Sequence, residues 1–124
     1  MIHIDTHIAV WTHLGQSRRL SSAAKRALAS GPVGYSPMVR LELHILHERR
    51  KLPSTPEVII ADLVRDFDAV EYDGSFANLI RIGSGLQWTT DPFDRLIVAT
   101  AMTDNAELIT ADGEIIEHFA DAVW

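Results

Sequence analysis

The sequence predicts an α/β protein with one parallel sheet. Three observations predict this: short apolar stretches alternate with helical patterns, the few Gly and Pro residues separate them, and no repeat or low-complexity segment interrupts the series. Strands that alternate with helices pair in parallel, because each helix returns the chain to the starting edge of the sheet. With 124 residues, 47% of them hydrophobic, the chain is expected to form a single domain over residues 1–124.

The first half of the chain predicts strands over residues 2–5 and 33–35, and helices over 6–14, from 21 or 22 to 29, and from Ser36 onward. Ser36 is a favourable N-cap, and the proline after it suits the first helical position. The buried side of this third helix is expected to carry Met38, Leu41, Ile45 and Leu46. Glu42 falls on the same side, where a carboxylate is costly without a partner or a function.

The second half predicts helices over 57–65 and 75–82, strands over 67–72 and 107–110, and a closing strand at 123–124. The residues 83–85, Gly-Ser-Gly, are expected to end the helix before them. Small and apolar residues occupy nearly every side of the helix that begins at Asp91-Pro92. That pattern indicates a buried central helix.

Acidic residues stand at several places where the carboxyl edge of such a sheet would gather them. Asp5 ends the first strand, Asp112 follows the late strand, Asp91 and Asp94 begin the central helix, and Glu42 lies on the third helix. Parallel sheets form their sites at this edge. Grouped carboxylates without any cysteine select hard cations such as Mg²⁺ or Mn²⁺. Such cations favour phosphodiester hydrolysis, because they activate water and neutralise developing charge.

Each acid also has a structural interpretation. Asp91 can cap the central helix, with Asp94 completing a capping-box-like pair. Asp112 precedes a glycine and can form a turn. Glu42 can pair with a nearby base, and the candidates are Arg40, His44 and Arg95. Asp5 is harder to explain in this way, because it lies between apolar residues near the core.

For the other candidate site residues, the sequence favours structural roles. The spacing of His3, His7, His13, His44 and His47 matches no zinc signature, which favours surface or packing positions. The basic residues 49–51 are typical of a solvated helix end, and contact with RNA or an acidic partner is the less favoured alternative. Trp11 and Trp88 could stack on bases. The helical spacing of Trp11, however, favours a position in the core.

Charge and hydropathy exclude two further classes. The formal net charge of −6 disfavours a protein that holds nucleic acid through a broad basic face. The first residues contain no basic region of the signal-peptide type, and no apolar run approaches the length of a membrane span. A cytoplasmic protein without a membrane partner is therefore expected.

Four segments, in this order, resemble VapC-type PIN domains: IDTH at 4–7 followed by Trp11, the segment 36–42, DPFDRLI at 91–97 continuing to Ala101, and LITAD at 108–112. The third of these is highly specific, and the resemblance extends over essentially the whole chain. Two positions depart from the usual pattern. Trp88-Thr89-Thr90 stands where a His and an Arg are frequent, and Leu41 stands where a Trp is common.

The resemblance implies a PIN fold with helices on both sides of the sheet and Mg²⁺- or Mn²⁺-dependent cleavage of RNA. It assigns metal-binding or catalytic roles to Asp5, Glu42, Asp94 and Asp112, with Asp91 as a further acid at the rim. Thr6 and Thr110 would either orient these acids or serve packing. The resemblance also implies a homodimer and a cognate VapB-like antitoxin, whose tail would enter the acidic cleft.

Two other functions compete with this interpretation. A phosphatase of the haloacid-dehalogenase kind also has an Asp after its first strand, but it needs a second Asp two residues later, where this chain has His7. A PIN-like module that has lost activity would serve only to bind a partner. The presence of every candidate acid argues against that second alternative.

Overall fold

The computed structural model describes residues 1–124 and contains one five-stranded, fully parallel sheet. The strands are β1 (Ile2–Ile4), β2 (Val33–Tyr35), β3 (Val70–Glu71), β4 (Glu107–Ile109) and β5 (Ala122–Val123). The helices are α1 (Thr6–His13), α2 (Ser22–Ala29), α3 (Pro37–Glu48), α4 (Pro56–Phe67), α5 (Phe76–Ser84), α6 (Pro92–Thr103) and α7 (Gly113–His118), with a short 3-10 helix at Ser17–Arg19. The predicted α/β class is confirmed.

The strand order is β3-β2-β1-β4-β5, so the chain moves outward from β1 in one direction and then returns to build the other half. Parallel connections are right-handed, and this reversal therefore places helices on both faces of the sheet. The reversal also opens a crevice beyond the carboxyl ends of β1 and β4, where ligands of such sheets bind. None of the seven helices combines the length and apolarity that crossing a membrane requires.

The core lies around β1, β4 and the central helix. Ile4, Leu108 and Ile109 are completely buried, and α6 is buried continuously from Leu96 to Ala101. The prediction of a buried central helix is therefore confirmed. A run of this kind has no solvent-facing stripe, because α5 covers the side of α6 that the sheet does not reach.

His3 is a polar residue inside this core. Its side chain is 2% exposed, and its Nε2 lies 2.7 Å from Asp104 Oδ2. Burial lowers the pKa of His3, and the nearby Asp104 raises it less. Gly34 on the neighbouring strand permits this arrangement, because a Cβ there would lie 2.7 Å from His3 Nε2. The histidine thus has the packing role that its spacing favoured.

The bounds of two predicted elements were wrong. The predicted strand over 67–72 is reduced to Val70–Glu71, because α4 continues to Phe67 and Asp68 then ends it in the left-handed conformation with φ of 51°. Helix α5 continues through Gly83 to Ser84 rather than ending at residue 82. A Cβ on Gly83 would lie 3.1 Å from Leu96 Cδ2, so glycine permits the close packing of α5 on α6.

The buried side of α3 also differs from the prediction. Val39 and Leu43 are completely buried, whereas Leu41 is 49% exposed and Met38 and Ile45 are only partly buried. Apolar residues occur on more than one side of this helix, so their spacing allowed two different orientations. The structure selects the one in which Val39 and Leu43, four residues apart, face the core.

Candidate active site

All five predicted acids line one cleft at the carboxyl edge of the sheet. Its volume is about 360 Å³, and its walls are formed by Asp5, His7, Trp11, Glu42, Asp91, Asp94, Ala111 and Asp112. The acids come from four separate parts of the chain and meet where the strand order reverses. Their convergence is therefore a property of the fold, while their catalytic roles stay predictions.

Asp5 lies at the bottom of this arrangement and is 7% exposed. It follows β1, and its backbone N–H donates to the carbonyl of Ile109 at 3.0 Å, which aligns it with the end of β4. Its Oδ1 accepts from the backbone N–H of Thr6 at 2.7 Å, and its Oδ2 accepts from the Thr110 hydroxyl at 2.7 Å. Burial raises the pKa of Asp5, and the two hydrogen bonds oppose that rise without cancelling it.

The two threonines act differently. Thr110 orients Asp5 through its side chain, and its oxygen also accepts from the backbone N–H of Asp112 at 3.1 Å. Thr6 holds Asp5 only through its backbone, and its own buried hydroxyl has no hydrogen-bond partner of full geometry. This hydroxyl is still close enough to lower the pKa of Glu42. Thr6 is thus placed beside Glu42 as well as beside Asp5.

Glu42 projects from α3, a helix whose start is fixed to α6. The Ser36 hydroxyl oxygen accepts from the N–H of Met38 at 3.1 Å and from the Thr100 hydroxyl at 2.9 Å. Burial raises the pKa of Glu42, and the charges of Asp5 and Asp91 raise it further.

The pairing alternative for Glu42 is wrong, because each suggested base has another partner. Arg40 binds Glu71 at 2.7 Å, and His44 lies 3.2 Å from Glu57. Arg95 donates from Nε to the carbonyl of residue 89 at 2.7 Å. Glu42 consequently faces the cleft without an ion pair to any of these three bases.

Asp91 has the predicted capping role, whereas Asp94 does not. Asp91 Oδ1 accepts from the N–H of Phe93 at 2.8 Å and of Asp94 at 3.4 Å. The N–H of Asp91, which a capping-box partner would bind, donates instead to the Thr89 hydroxyl at 3.2 Å. The carboxylate of Asp94 therefore does not complete a capping box. It forms no other hydrogen bond or ion pair within the chain, so it is available to a ligand.

The other acids of the cleft act together on Asp94. Its pKa is raised to about 7, first by burial and then by the charges of Asp91, Asp5, Asp112 and Glu42. Carboxylates that share a site in this way cannot all be ionised at low cost without a cation. A strongly raised pKa in a cleft is also typical of functional sites.

Asp112 has a structural role as well as a position in the cleft. Its Oδ1 accepts from the N–H groups of Glu114 at 2.9 Å and Ile115 at 3.1 Å, which caps α7. The predicted structural role of Asp112 therefore applies to its Oδ1 atom. Its Oδ2 forms no hydrogen bond within the chain.

The donor set of the cleft fits a hard divalent cation, although the side chains do not form a finished cage. No three acidic or histidine side chains are placed closely enough together to hold a metal ion. The donors are oxygens from carboxylates, with His7 as the only basic side chain. This set suits Mg²⁺ or Mn²⁺, which retain several waters and need only a few carboxylates.

His7, for which a surface or packing position was expected, and Trp11, for which the core was favoured, both line the cleft. They lie four residues apart on α1, and their ring centroids are 6.0 Å apart. Trp11 also packs against the core, so the predicted core position is correct for one part of this side chain. A signal was present: α1 begins directly after Asp5, so residues in its first turns must lie close to the cleft.

Comparison with known proteins gives the family. The PIN domain family model matches residues 2–121, and the chain therefore belongs to the PIN domain family. No curated protein matches the sequence at a significant level.

Two solved structures show the same fold. A chain in the crystal structure of VapBC2 from Rickettsia felis bound to a DNA fragment from their promoter is similar with a TM-score of 0.64 and 15% identity, over 94% of this chain and 92% of that one. A chain in a toxin–antitoxin complex from Klebsiella pneumoniae gives a TM-score of 0.62 and 18% identity, over 100% and 97% of the two chains. At these identities the likeness shows the fold.

Proposed function

We propose that this protein is an Mg²⁺- or Mn²⁺-dependent endoribonuclease that hydrolyses RNA phosphodiesters, and that it acts as the toxin of a VapBC-type pair. The observation that carries the proposal is the convergence of five carboxylates on one cleft at the carboxyl edge of a PIN-domain sheet. The raised pKa values of Asp5, Glu42 and Asp94 support it, because they indicate a site that is electrostatically incomplete without a cation.

Asp5, Glu42 and Asp94 would hold the ion, with Asp112 as a direct or water-mediated ligand. A bound divalent cation would supply positive charge to a phosphodiester and a more acidic water. Thr110 fixes the orientation of Asp5, and the junction of Ser36 with α6 fixes the helix that carries Glu42. Asp91 keeps one oxygen for its cap and adds negative charge at the rim.

The toxin role extends the proposal to partners. Both similar structures are toxin–antitoxin assemblies, which supports a cognate VapB-like antitoxin for this chain. A cleft lined almost entirely by acids suits a basic side chain from such a partner. A homodimer and a cytoplasmic location complete the proposal.

A cleavage assay tests the enzymatic part. The purified protein should cut a labelled RNA when Mg²⁺ or Mn²⁺ is present and should leave it intact in EDTA. Asp5→Asn and Asp94→Asn should each abolish cleavage while the circular dichroism spectrum is retained. Asp73→Asn, at an exposed site outside the cleft, is the matched control and should cut normally. An Asp94→Asn protein as active as the parent would contradict the proposal.

A second candidate is the PIN-like module without activity. The observation that favours it is the lack of any three side chains placed to hold a metal ion. It predicts tight binding to a small neighbouring protein and no RNA cleavage with any divalent cation. The PIN family match leaves the haloacid-dehalogenase phosphatase without support, and hydrolysis of phosphate monoesters without RNA cleavage would restore it.

A further inference from the structure

A serine, a histidine and an aspartate form a chain of hydrogen bonds outside the acidic cleft. His13 Nδ1 lies 2.6 Å from Asp62 Oδ2, and His13 Nε2 lies 2.9 Å from the hydroxyl oxygen of Ser54. His13 is the last residue of α1, Asp62 lies in the middle of α4, and Ser54 lies in the loop before α4. None of the three lines the acidic cleft, so the chain of hydrogen bonds is separate from that site.

The chemistry of the three groups fixes the direction of these hydrogen bonds. A carboxylate only accepts, so the Nδ1–H of His13 donates to Asp62. In a neutral imidazole the other ring nitrogen is then an acceptor, and the Ser54 hydroxyl donates to it. The serine therefore directs its proton to a histidine that an aspartate orients. This is the arrangement that activates a serine as a nucleophile.

Burial and a second ion pair hold the histidine and the aspartate in place. The side chain of His13 is 10% exposed, and that of Asp62 is 22% exposed. Arg65 Nη1 lies 2.8 Å from Asp62 Oδ1, so each carboxylate oxygen has its own partner. Ser54 is half-buried and lies in a loop. The base is thus shielded from water, while the nucleophile lies nearer the surface.

Free backbone donors follow the serine directly. Helix α4 begins at Pro56, and the side chain of Thr55 does not cap it. The backbone N–H groups of Thr55 and Glu57 donate to no acceptor within the chain. In serine hydrolases the N–H of the residue after the nucleophile is one of the donors that stabilise the oxyanion. Thr55 occupies that position in this sequence.

We propose that Ser54, His13 and Asp62 form a second site, which hydrolyses small carboxylic esters through an acyl-serine intermediate. The Ser54 Oγ attacks the ester carbonyl while its proton passes to His13 Nε2, and this proton leaves with the alcohol as the ester C–O bond breaks. Water then attacks the acyl-serine in the same way, which releases the carboxylic acid and restores Ser54. Ser54 lines none of the main cavities, which favours short acyl groups such as acetyl.

A covalent probe for activated serines tests the nucleophile. The native protein is incubated in EDTA with a fluorophosphonate–biotin probe, and the modified peptide is identified by mass spectrometry. The label should be on Ser54, and the protein should hydrolyse p-nitrophenyl acetate faster than buffer alone. Ser54→Ala should remove the label and most of the hydrolysis. Ser17→Ala, at an exposed serine without a histidine partner, is the matched control and should retain both.

Variants of the other two residues separate activation from packing. His13→Gln keeps hydrogen-bonding groups for both neighbours but cannot take the serine proton, so labelling should slow by at least about 100-fold. Asp62 is a positioning residue, and Asp62→Asn should slow labelling by a similar factor. Asp62→Glu, which keeps the carboxylate, should recover part of the rate. Each variant should retain the native circular dichroism spectrum.

Three results would overturn the second site: no label on Ser54 in the native protein, equal labelling rates in His13→Gln and the native protein, or undiminished ester hydrolysis by Ser54→Ala. A purely structural contact predicts the first result together with a lower unfolding temperature for His13→Gln. If either of the other variants does not fold, the native protein and Ser54→Ala decide the question. The reaction uses no cation and none of the cleft acids, so its outcome is independent of RNA cleavage.

Discussion

Replacing Asp94 by Asn should make the cation-free protein more stable at pH 8. The pKa of Asp94 is about 7, against an ordinary value of 3.8. This difference corresponds to roughly 4 kcal/mol against the ionised form in the folded state, and screening of a half-buried group lowers the expected gain to about 2–4 kcal/mol. The favourable interaction of an acid with the start of α6 is smaller, about 0.3–1 kcal/mol. Repulsion therefore dominates, and Asn should stabilise.

The sign of the pH dependence follows from the raised pKa. The folded state binds the Asp94 proton more tightly than the unfolded state, so the penalty is complete above about pH 7 and disappears below the ordinary value of 3.8. The gain from Asp94→Asn should therefore shrink to roughly 1–2 kcal/mol at pH 5. Urea unfolding followed by circular dichroism in EDTA measures both values.

Two comparisons make this prediction decisive. Asp73→Asn, at an exposed position outside the cleft, should change the free energy of unfolding by less than about 0.5 kcal/mol at either pH. Adding Mg²⁺ should reduce the advantage of Asp94→Asn, because the cation stabilises only the protein that binds it. A variant that is less stable than the parent at pH 8, or equally shifted at both pH values, would refute the electrostatic account.

Three more substitutions test individual contacts. Thr110→Val removes the 2.7 Å hydrogen bond to Asp5 and should cost about 1–3 kcal/mol in thermal unfolding and reduce RNA cleavage; an unchanged midpoint would contradict the orienting role. Gly34→Ala places a methyl group 2.7 Å from His3 Nε2 and should destabilise by about 1–3 kcal/mol in urea, whereas a neutral effect would show that His3 can move. Leu41→Ser, at a 49% exposed position, should change the free energy of unfolding by less than about 0.5 kcal/mol. A large loss of stability would indicate that Leu41 is buried.

The acids could be predicted because their signals are local. Asp5 follows a three-residue strand, and Asp91 stands before a proline that begins a helix, so each position could be assigned from its neighbours. A parallel sheet then brings strand ends to one edge. Glu42 was also placed correctly on α3, although part of the argument was wrong: Leu41, taken as a guide to the buried side, is exposed.

Other features depend on contacts between distant segments, and the sequence pattern does not contain them. The raised pKa of Asp94 arises from burial together with acids on three other segments. The contact between Trp11 and Trp124 joins residues more than a hundred positions apart in the chain. Helix α7, with six residues, is too short to produce a periodic pattern, and its cap at Asp112 was recognised only as a turn.

Mn²⁺ binding tests the central claim most directly, because it asks whether the acids of the cleft act together on a cation. Calorimetric titration at pH 7.5 should show that the native protein binds Mn²⁺, with affinity at least about tenfold weaker in Asp5→Asn, Glu42→Gln and Asp94→Asn. Asp73→Asn should bind like the parent. If the three cleft variants bind Mn²⁺ as tightly as the native protein, or if the native protein binds none, the carboxylate cluster is not a metal site.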